Sequence, residues 1–200
     1  GLGRAMALGL LARGARVIFS ATGPSGQLST TLKLAGEQAP ADRFAVVFGD
    51  VSRYEDCARM TKEATDSFGQ IDVLINNAGI PMAGEGPLFW QMKPEDWARM
   101  SDTNCNSAFY MCRTIVPDMV TRGSGKIINI STSERTMVRP RFSPYGPSKA
   151  FIEACSRVWA GELKDTGVSV NVLSPGGAVD TAVDVTCLLY TSPSPRDQRG

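Results

Sequence analysis

The chain has 200 residues, one domain's worth and long enough for a substantial core. With 42% hydrophobic residues and a formal net charge of +1, it gives no electrostatic reason to expect nucleic acid or an acidic membrane surface as partner. Histidine is absent, which excludes Ser-His-Asp hydrolysis, Cys-His proteolysis and every histidine-based zinc motif, and no metal site is expected.

Gly1-Leu2-Gly3-Arg4 opens the chain, residues 5–13 have helix-forming composition, and Gly14 is the stop. A glycine pair opening a helix lets a phosphate approach backbone N–H groups at the positive end of the dipole, although a glycine-rich tag looks the same. The run 16–20 reads as a buried strand and ends in the turn Thr22-Gly23-Pro24-Ser25-Gly26. A helix over about 27–37 follows, then a strand at 44–48 closing on Gly49-Asp50-Val51. Ser52 and Glu55 have capping-box spacing for a helix running to Phe68. A strand at 73–75 leads to Asn76-Asn77-Ala78-Gly79, and a long loop spans 80–93. Pro94 starts a helical region that contains Asn104 and ends near Arg122. A strand at 126–130, a helix from about Tyr145 and a strand at 169–173 complete the order. This alternation predicts an α/β fold, a single Rossmann-like domain with a doubly wound parallel sheet.

Tyr145 and Lys149 are four apart at a helix start and so share a face. An unperturbed tyrosine, with a pKa of about 10, is a poor base near neutrality. An ammonium beside it is expected to favour the phenolate and lower that pKa. The preceding strand ends in Ser131, Thr132 and Ser133, where open α/β sheets hold ligands. The five cysteines (Cys57, Cys105, Cys112, Cys155, Cys187) form no Cys-x-x-Cys pair and read as reduced thiols, which suits a cytoplasmic protein. The apolar run 5–12 lacks the basic flank and cleavage site of a signal peptide, and no run has the length of a membrane span.

Taken in order, these residues resemble the short-chain dehydrogenase/reductase family from Gly1 to about Thr181. Gly1 and Gly3 resemble the last two glycines of its Thr-Gly-x-x-x-Gly-x-Gly cofactor loop. Asp50 and Val51 match the pair that holds the adenine, and Asn76-Asn77-Ala78-Gly79 the Asn-Asn-Ala-Gly motif beside the cofactor. Asn104 falls at the catalytic asparagine, and Tyr145 and Lys149 at the catalytic pair. Pro175 and Gly176 through Thr181 resemble the loop that holds the nicotinamide carboxamide, with a span one residue longer. The resemblance implies that Tyr145 exchanges a proton with the substrate oxygen, and that Lys149 tunes it and binds the nicotinamide ribose. It implies that Asn104 holds a water leading from Lys149 to solvent. The family's serine, thirteen residues before the tyrosine, lands on Thr132, which offers the same hydroxyl; Ser133 is second choice.

The implied activity is NAD(P)-dependent interconversion of a ketone and a secondary alcohol, a 3-oxoacyl thioester being one candidate substrate. The alternative is a catalytically degenerate member that binds nucleotide or a partner without turnover. An acidic residue at the end of the second family strand would select NAD; here that place is about Ala21, and no acid precedes Glu37. Thr22 and Ser25 offer hydroxyls to a 2′-phosphate, so NADP(H) is expected over NAD(H). A homo-oligomer, dimer or tetramer, is implied, with Phe151, Ala154, Cys155 and Val158 fitting its interface or an ordinary core face equally. The family's first strand, central in the sheet, is expected to be missing, so residues 1–185 form an incomplete dinucleotide-binding domain. Residues 186–200, aperiodic and rich in Ser, Pro and Arg, are expected to be a non-native or disordered tail.

Overall fold

The computed structural model describes residues 1–82 and 84–175; the expected tail, Gly176 and Thr181 lie outside these. Helix α1 (Leu2–Leu11) leads to strand β1 (Val17–Ala21), and helix α2 (Gly26–Gln38) to β2 (Phe44–Phe48). Ser25 caps α2, its hydroxyl accepting from the Leu28 N–H at 3.1 Å. Helix α3 (Tyr54–Phe68), strand β3 (Val73–Asn76), and helices α4 (Pro94–Ser101) and α5 (Ser107–Arg122) follow. Strand β4 (Gly125–Ile130), the short helix α6 (Glu134–Met137), helix α7 (Tyr145–Glu162) and strand β5 (Val168–Leu173) close the order. Each strand expected from the sequence forms, within a residue or two at its ends. Helix α6 is an addition to the expected order.

All the strand pairings are parallel, as the alternation of strands and helices predicts. The strands lie in two sheets, β1–β2, and β3–β4–β5 in that order. Among the described residues no strand pairs with the second edge of β1 or of β3. Helices carry the connection instead. Met111 of α5 packs both on the Leu74–Ile127–Val168 core under β3–β5 and on the Val47–Cys57–Met60 core under β1–β2. Across the α3–α5 contact, Thr61 and Thr114 share a hydroxyl hydrogen bond of 2.8 Å, and Tyr54 meets Tyr110 edge to face at 5.8 Å.

Strand alternation decides which helices cover β1–β2. Val17, Phe19, Phe44 and Val46 turn to α1 and α2 with Leu8, Leu11 and Leu32, whereas Ile18 and Val47 turn to α3 and α5. The thiols of Cys57 and Cys112 are buried core filler, and burial pushes them up to about 11 and about 12.

The start of α3 departs from expectation. Ser52 and Glu55 make no capping box. The Asp50 carboxylate instead accepts from Ser52 N–H at 2.9 Å and Ser52 Oγ at 2.7 Å, while Asp56 Oδ2 accepts from Asp50 N–H at 2.8 Å. Asp56 stands in the first helical turn, where its charge also suits the dipole. The Asp50 amide, helped by Arg59, holds the Asp56 carboxyl below its ordinary 3.8. A lowered acid stabilises the fold above its ordinary pKa and loses that contribution as pH falls through the lowered one. Asp56→Asn is therefore expected to lower Tm at pH 7, the difference from the parent shrinking as pH falls below the ordinary carboxylate range; thermal melts from neutral to acid pH check this.

Candidate active site

Three consecutive residues at the end of β4 are tied to successive turns of α7. Asn129 donates through Nδ2 to Ser156 Oγ at 2.8 Å. The Ile130 carbonyl accepts from Lys149 Nζ at 3.0 Å, and Ser131 Oγ donates to Glu153 Oε1 at 2.8 Å. Lys149, Glu153 and Ser156 are spaced i, i+4, i+7, so one face of α7 carries all three. Asn129 is fully buried and also accepts from Asn76 Nδ2 at 2.8 Å, which joins β3 to the same set. The start of α7 is fixed from its other side by α6. A Cβ on Gly146 would strike the backbone carbonyls of Met137 and Thr136, so only glycine permits that approach.

The second element is a turn of π-helix, Asp102–Asn106, between α4 and α5. Such single wide turns occur at functional sites. This one sets Asn104, 3% exposed, against the loop after β3. Its Oδ1 accepts from the Ile80 N–H at 2.7 Å, and its Nδ2 donates to the Ile80 carbonyl at 3.0 Å and to Ser148 Oγ at 3.3 Å. Ser148 Oγ in turn donates to the Tyr145 carbonyl at 2.6 Å. A Cβ on Gly79 would lie 3.1 Å from Asn104 Oδ1 and 3.8 Å from Lys149 Nζ. Gly79, Asn104, Lys149 and Tyr145 thus converge. The asparagine amide hydrogen-bonds both backbone groups of Ile80 and the Ser148 hydroxyl, and so clasps the loop after β3 to α7.

The electrostatics correct one expectation. Lys149 Nζ lies over the Tyr145 ring, 5.8 Å from its centroid, and donates to the strand carbonyl. It does not lower the tyrosine. Burial raises Tyr145 above its ordinary 10.0, and burial lowers Lys149, against a smaller opposing influence of Cys105. In both cases the low-dielectric setting disfavours the charged form.

Of the three hydroxyls after β4, Ser131 is engaged by Glu153, and Ser133 caps α6 by accepting from Thr136 N–H at 3.3 Å. Thr132 is half-buried, and its hydroxyl makes no hydrogen bond among the described residues. Its carbonyl accepts from Ser174 Oγ at 3.2 Å, which brings half-buried Pro175 beside it.

The residues expected at a dinucleotide gather at the carboxyl ends of the strands. Gly3 abuts Asn77: a Cβ there would stand 2.6 Å from Asn77 Nδ2. The first turn of α1 contains no acidic residue and no side-chain cap, so its leading N–H groups are unspent donors for an anion. Gly1 at the helix cap, and Ala78 and Gly79 after β3, are exposed. Thr22 and Asp50 follow the paired ends of β1 and β2, where Gly49 N–H bonds the Ala21 carbonyl at 2.9 Å. Thr22 is exposed, and Val51 packs into the Val47 core. The N–H donors at the start of α1 fit a dinucleotide phosphate. Glu153, Ser156, Asn129 and Ser148 take part in positioning the site and are not singled out by sequence reasoning. Their spacing from Lys149 is visible in the chain, but their partners lie on another element.

Comparison with known proteins agrees with this geometry. The family described as short chain dehydrogenase matches residues 1–187. A short-chain type dehydrogenase/reductase of Picea abies is 31% identical over 180 residues, covering 88% of this chain and 66% of the relative. The 3-oxoacyl-[acyl-carrier-protein] reductase FabG of Vibrio cholerae serotype O1 is 32% identical over 176 residues, covering 88% and 68%. Among solved structures, a metagenomic short-chain oxidoreductase in complex with NADP superimposes with a TM-score of 0.78 at 28% identity, covering 88% of this chain and 78% of that one. The chain thus spans about two thirds of the length of the curated relatives it matches.

Two outcomes are expected of this site. Glu153→Ala leaves the Ser131 hydroxyl buried without its acceptor and should cost about 1–3 kcal/mol in denaturant unfolding, with Glu153→Gln recovering part. In the unliganded protein Tyr145 should remain protonated past pH 10; an ultraviolet difference titration of parent against Tyr145→Phe reads this directly.

Proposed function

The chain belongs to the short chain dehydrogenase family, and on that premise we propose that its protein is an NAD(P)-dependent oxidoreductase interconverting a ketone and a secondary alcohol. The observation that carries this reading is the convergence of Tyr145, Lys149, Asn104 and Gly79, with the Thr132 hydroxyl after β4 making no hydrogen bond among the described residues. Tyr145 donates a proton from Oη to the substrate oxygen during reduction, and takes it back in the reverse direction. Thr132 donates a hydrogen bond to that oxygen and orients it. Lys149 has three N–H donors and spends one on Ile130, which leaves two for the ribose hydroxyls. Asn104 fixes Ile80 and, through Ser148, the first turn of α7. Gly1, Gly3, Asn77, Ala78, Pro175, Gly176 and Thr181 would hold the dinucleotide, with Thr22, Asp50 and Val51 at its adenosine end. When bound, that group supplies or accepts the hydride.

The preference for NADP(H) rests on the absence of an acid from Ala21 to Gly36 and on the exposed Thr22. An acid there would repel a 2′-phosphate. As substrate we favour a 3-oxoacyl thioester, the class named for the Vibrio cholerae relative. On α7, Phe151, Ala154 and Val158 are exposed and Cys155 half-buried, so they are not core. This supports their use in a dimer or tetramer. Residues 1–185 would be the dinucleotide-binding part, with 186–200 outside it. The reduced thiols suit the cytoplasm. Among the described residues no helix is long and apolar enough to cross a membrane.

Tyr145→Phe in the full-length protein is expected to cost about 10²–10⁴ in NADPH-dependent ketone reduction, while NADPH binding stays nearly unchanged. Absorbance assays and NADPH fluorescence titration measure the two. Retained turnover would rule Tyr145 out as the proton donor.

A further inference from the structure

We propose that Arg139 binds an anionic group, a carboxylate or a phosphate, carried by the substrate several bonds from its reacting carbonyl. The inference rests on the reading of Tyr145 as the proton donor and names a feature of the substrate that this reading leaves open.

The stretch from α6 to α7 holds three arginines, Arg135, Arg139 and Arg141, against one acid, Glu134. Their settings differ. Arg141 anchors the stretch: its Nη1 donates to the Gly86 carbonyl at 3.3 Å, and its Nε stands 4.0 Å from Glu85. Arg135 and Arg139 make no ion pair among the described residues. Arg139 is nonetheless fixed. Its guanidinium lies 4.4 Å over the ring of Phe142, which is buried and meets the Tyr145 ring edge to face at 6.4 Å. The Phe142 N–H also bonds the Arg139 carbonyl at 3.2 Å and tightens the turn.

A guanidinium held over a ring face leaves N–H donors free, in the fork that suits a carboxylate or phosphate. Stacking thus orders the side chain in advance, which lowers the entropy cost of binding. The charge is separated from Tyr145 by two ring contacts, of 4.4 Å and 6.4 Å between centres. A 2-oxo acid, whose carboxylate adjoins its ketone, is too short to reach both. A chain of several methylenes spans them.

The test uses the full-length protein with NADPH and four sets of probes: 2-oxobutanoate, 5-oxohexanoate and 7-oxooctanoate, each beside its methyl ester, and 3-oxobutanoyl-pantetheine with and without its 4′-phosphate. Binding is read by calorimetry and turnover by NADPH absorbance. The longer acids or the phosphorylated thioester should be preferred over their neutral counterparts by about tenfold in Kd and kcat/KM, the worth of one charge-assisted pair. Arg139→Ala should bring that ratio towards one, and Arg139→Lys should keep part of it. Preference among the keto acids assigns a carboxylate, and preference confined to the thioester pair assigns a phosphate. Equal handling of charged and neutral probes, or a ratio unmoved by Arg139→Ala, overturns the proposal. Charge preference in binding with no turnover of any probe supports the Arg139 site and sinks the oxidoreductase reading instead.

Discussion

The site depends on the bonding of β4 to α7. A parallel strand and the helix packed on it are ordinarily held by apolar contact, which tolerates sliding. Here Asn129, Ile130 and Ser131 each make a polar bond to one face of α7, through Ser156, Lys149 and Glu153. Directional bonds at three points permit one axial position and one rotation. That position puts Tyr145 and Lys149 at the strand's carboxyl end and leaves Thr132 as the next residue along. Burial raises the stakes: Asn129, Ser131, Lys149 and Ser156 are all below 10% exposed, and a polar group there without its partner is expensive.

The same economy recurs at Asn104. A π-turn interrupts what would otherwise be one long helix, and the amide it presents grips both backbone groups of Ile80. The loop after β3 is thereby held against α7 through Ser148. These two sets of bonds make the β3–β5 half of the chain a rigid frame. The β1–β2 half, where the adenosine end of a dinucleotide would lie, is joined to it through α3 and α5 rather than through strand pairing. The adenosine end of such a group would therefore rest on a different support from Tyr145 and Lys149.

Much of this was legible in the sequence because it depends on local rules. Apolar runs of four to six residues bounded by glycine and polar turns gave the strands, and Pro94 marked the start of α4. The Tyr145–Lys149 spacing needed only helical geometry. What could not be read depends on contacts between elements. Ser52 and Glu55 have the spacing of a capping box, but the Asp50 and Asp56 carboxylates compete for the same backbone and prevail. Helix α6 is a single turn, too short to show periodicity. Among Ser131, Thr132 and Ser133 the sequence offered three similar hydroxyls. Only their partners, Glu153 on one side and Thr136 on the other, single out Thr132.

The direction of the pKa shifts is the most informative departure. A lysine near a tyrosine was expected to draw its proton off, yet each group is pushed towards neutrality by its own burial. The two statements are compatible. In a low-dielectric site a lone phenolate or a lone ammonium is costly, but the pair formed together is far less so, because each charge then screens the other. Lys149 donates to a backbone carbonyl and lies over the Tyr145 ring face. A hydroxyl held between Nζ and Oη would couple them. Such coupling would favour the phenolate that burial alone disfavours.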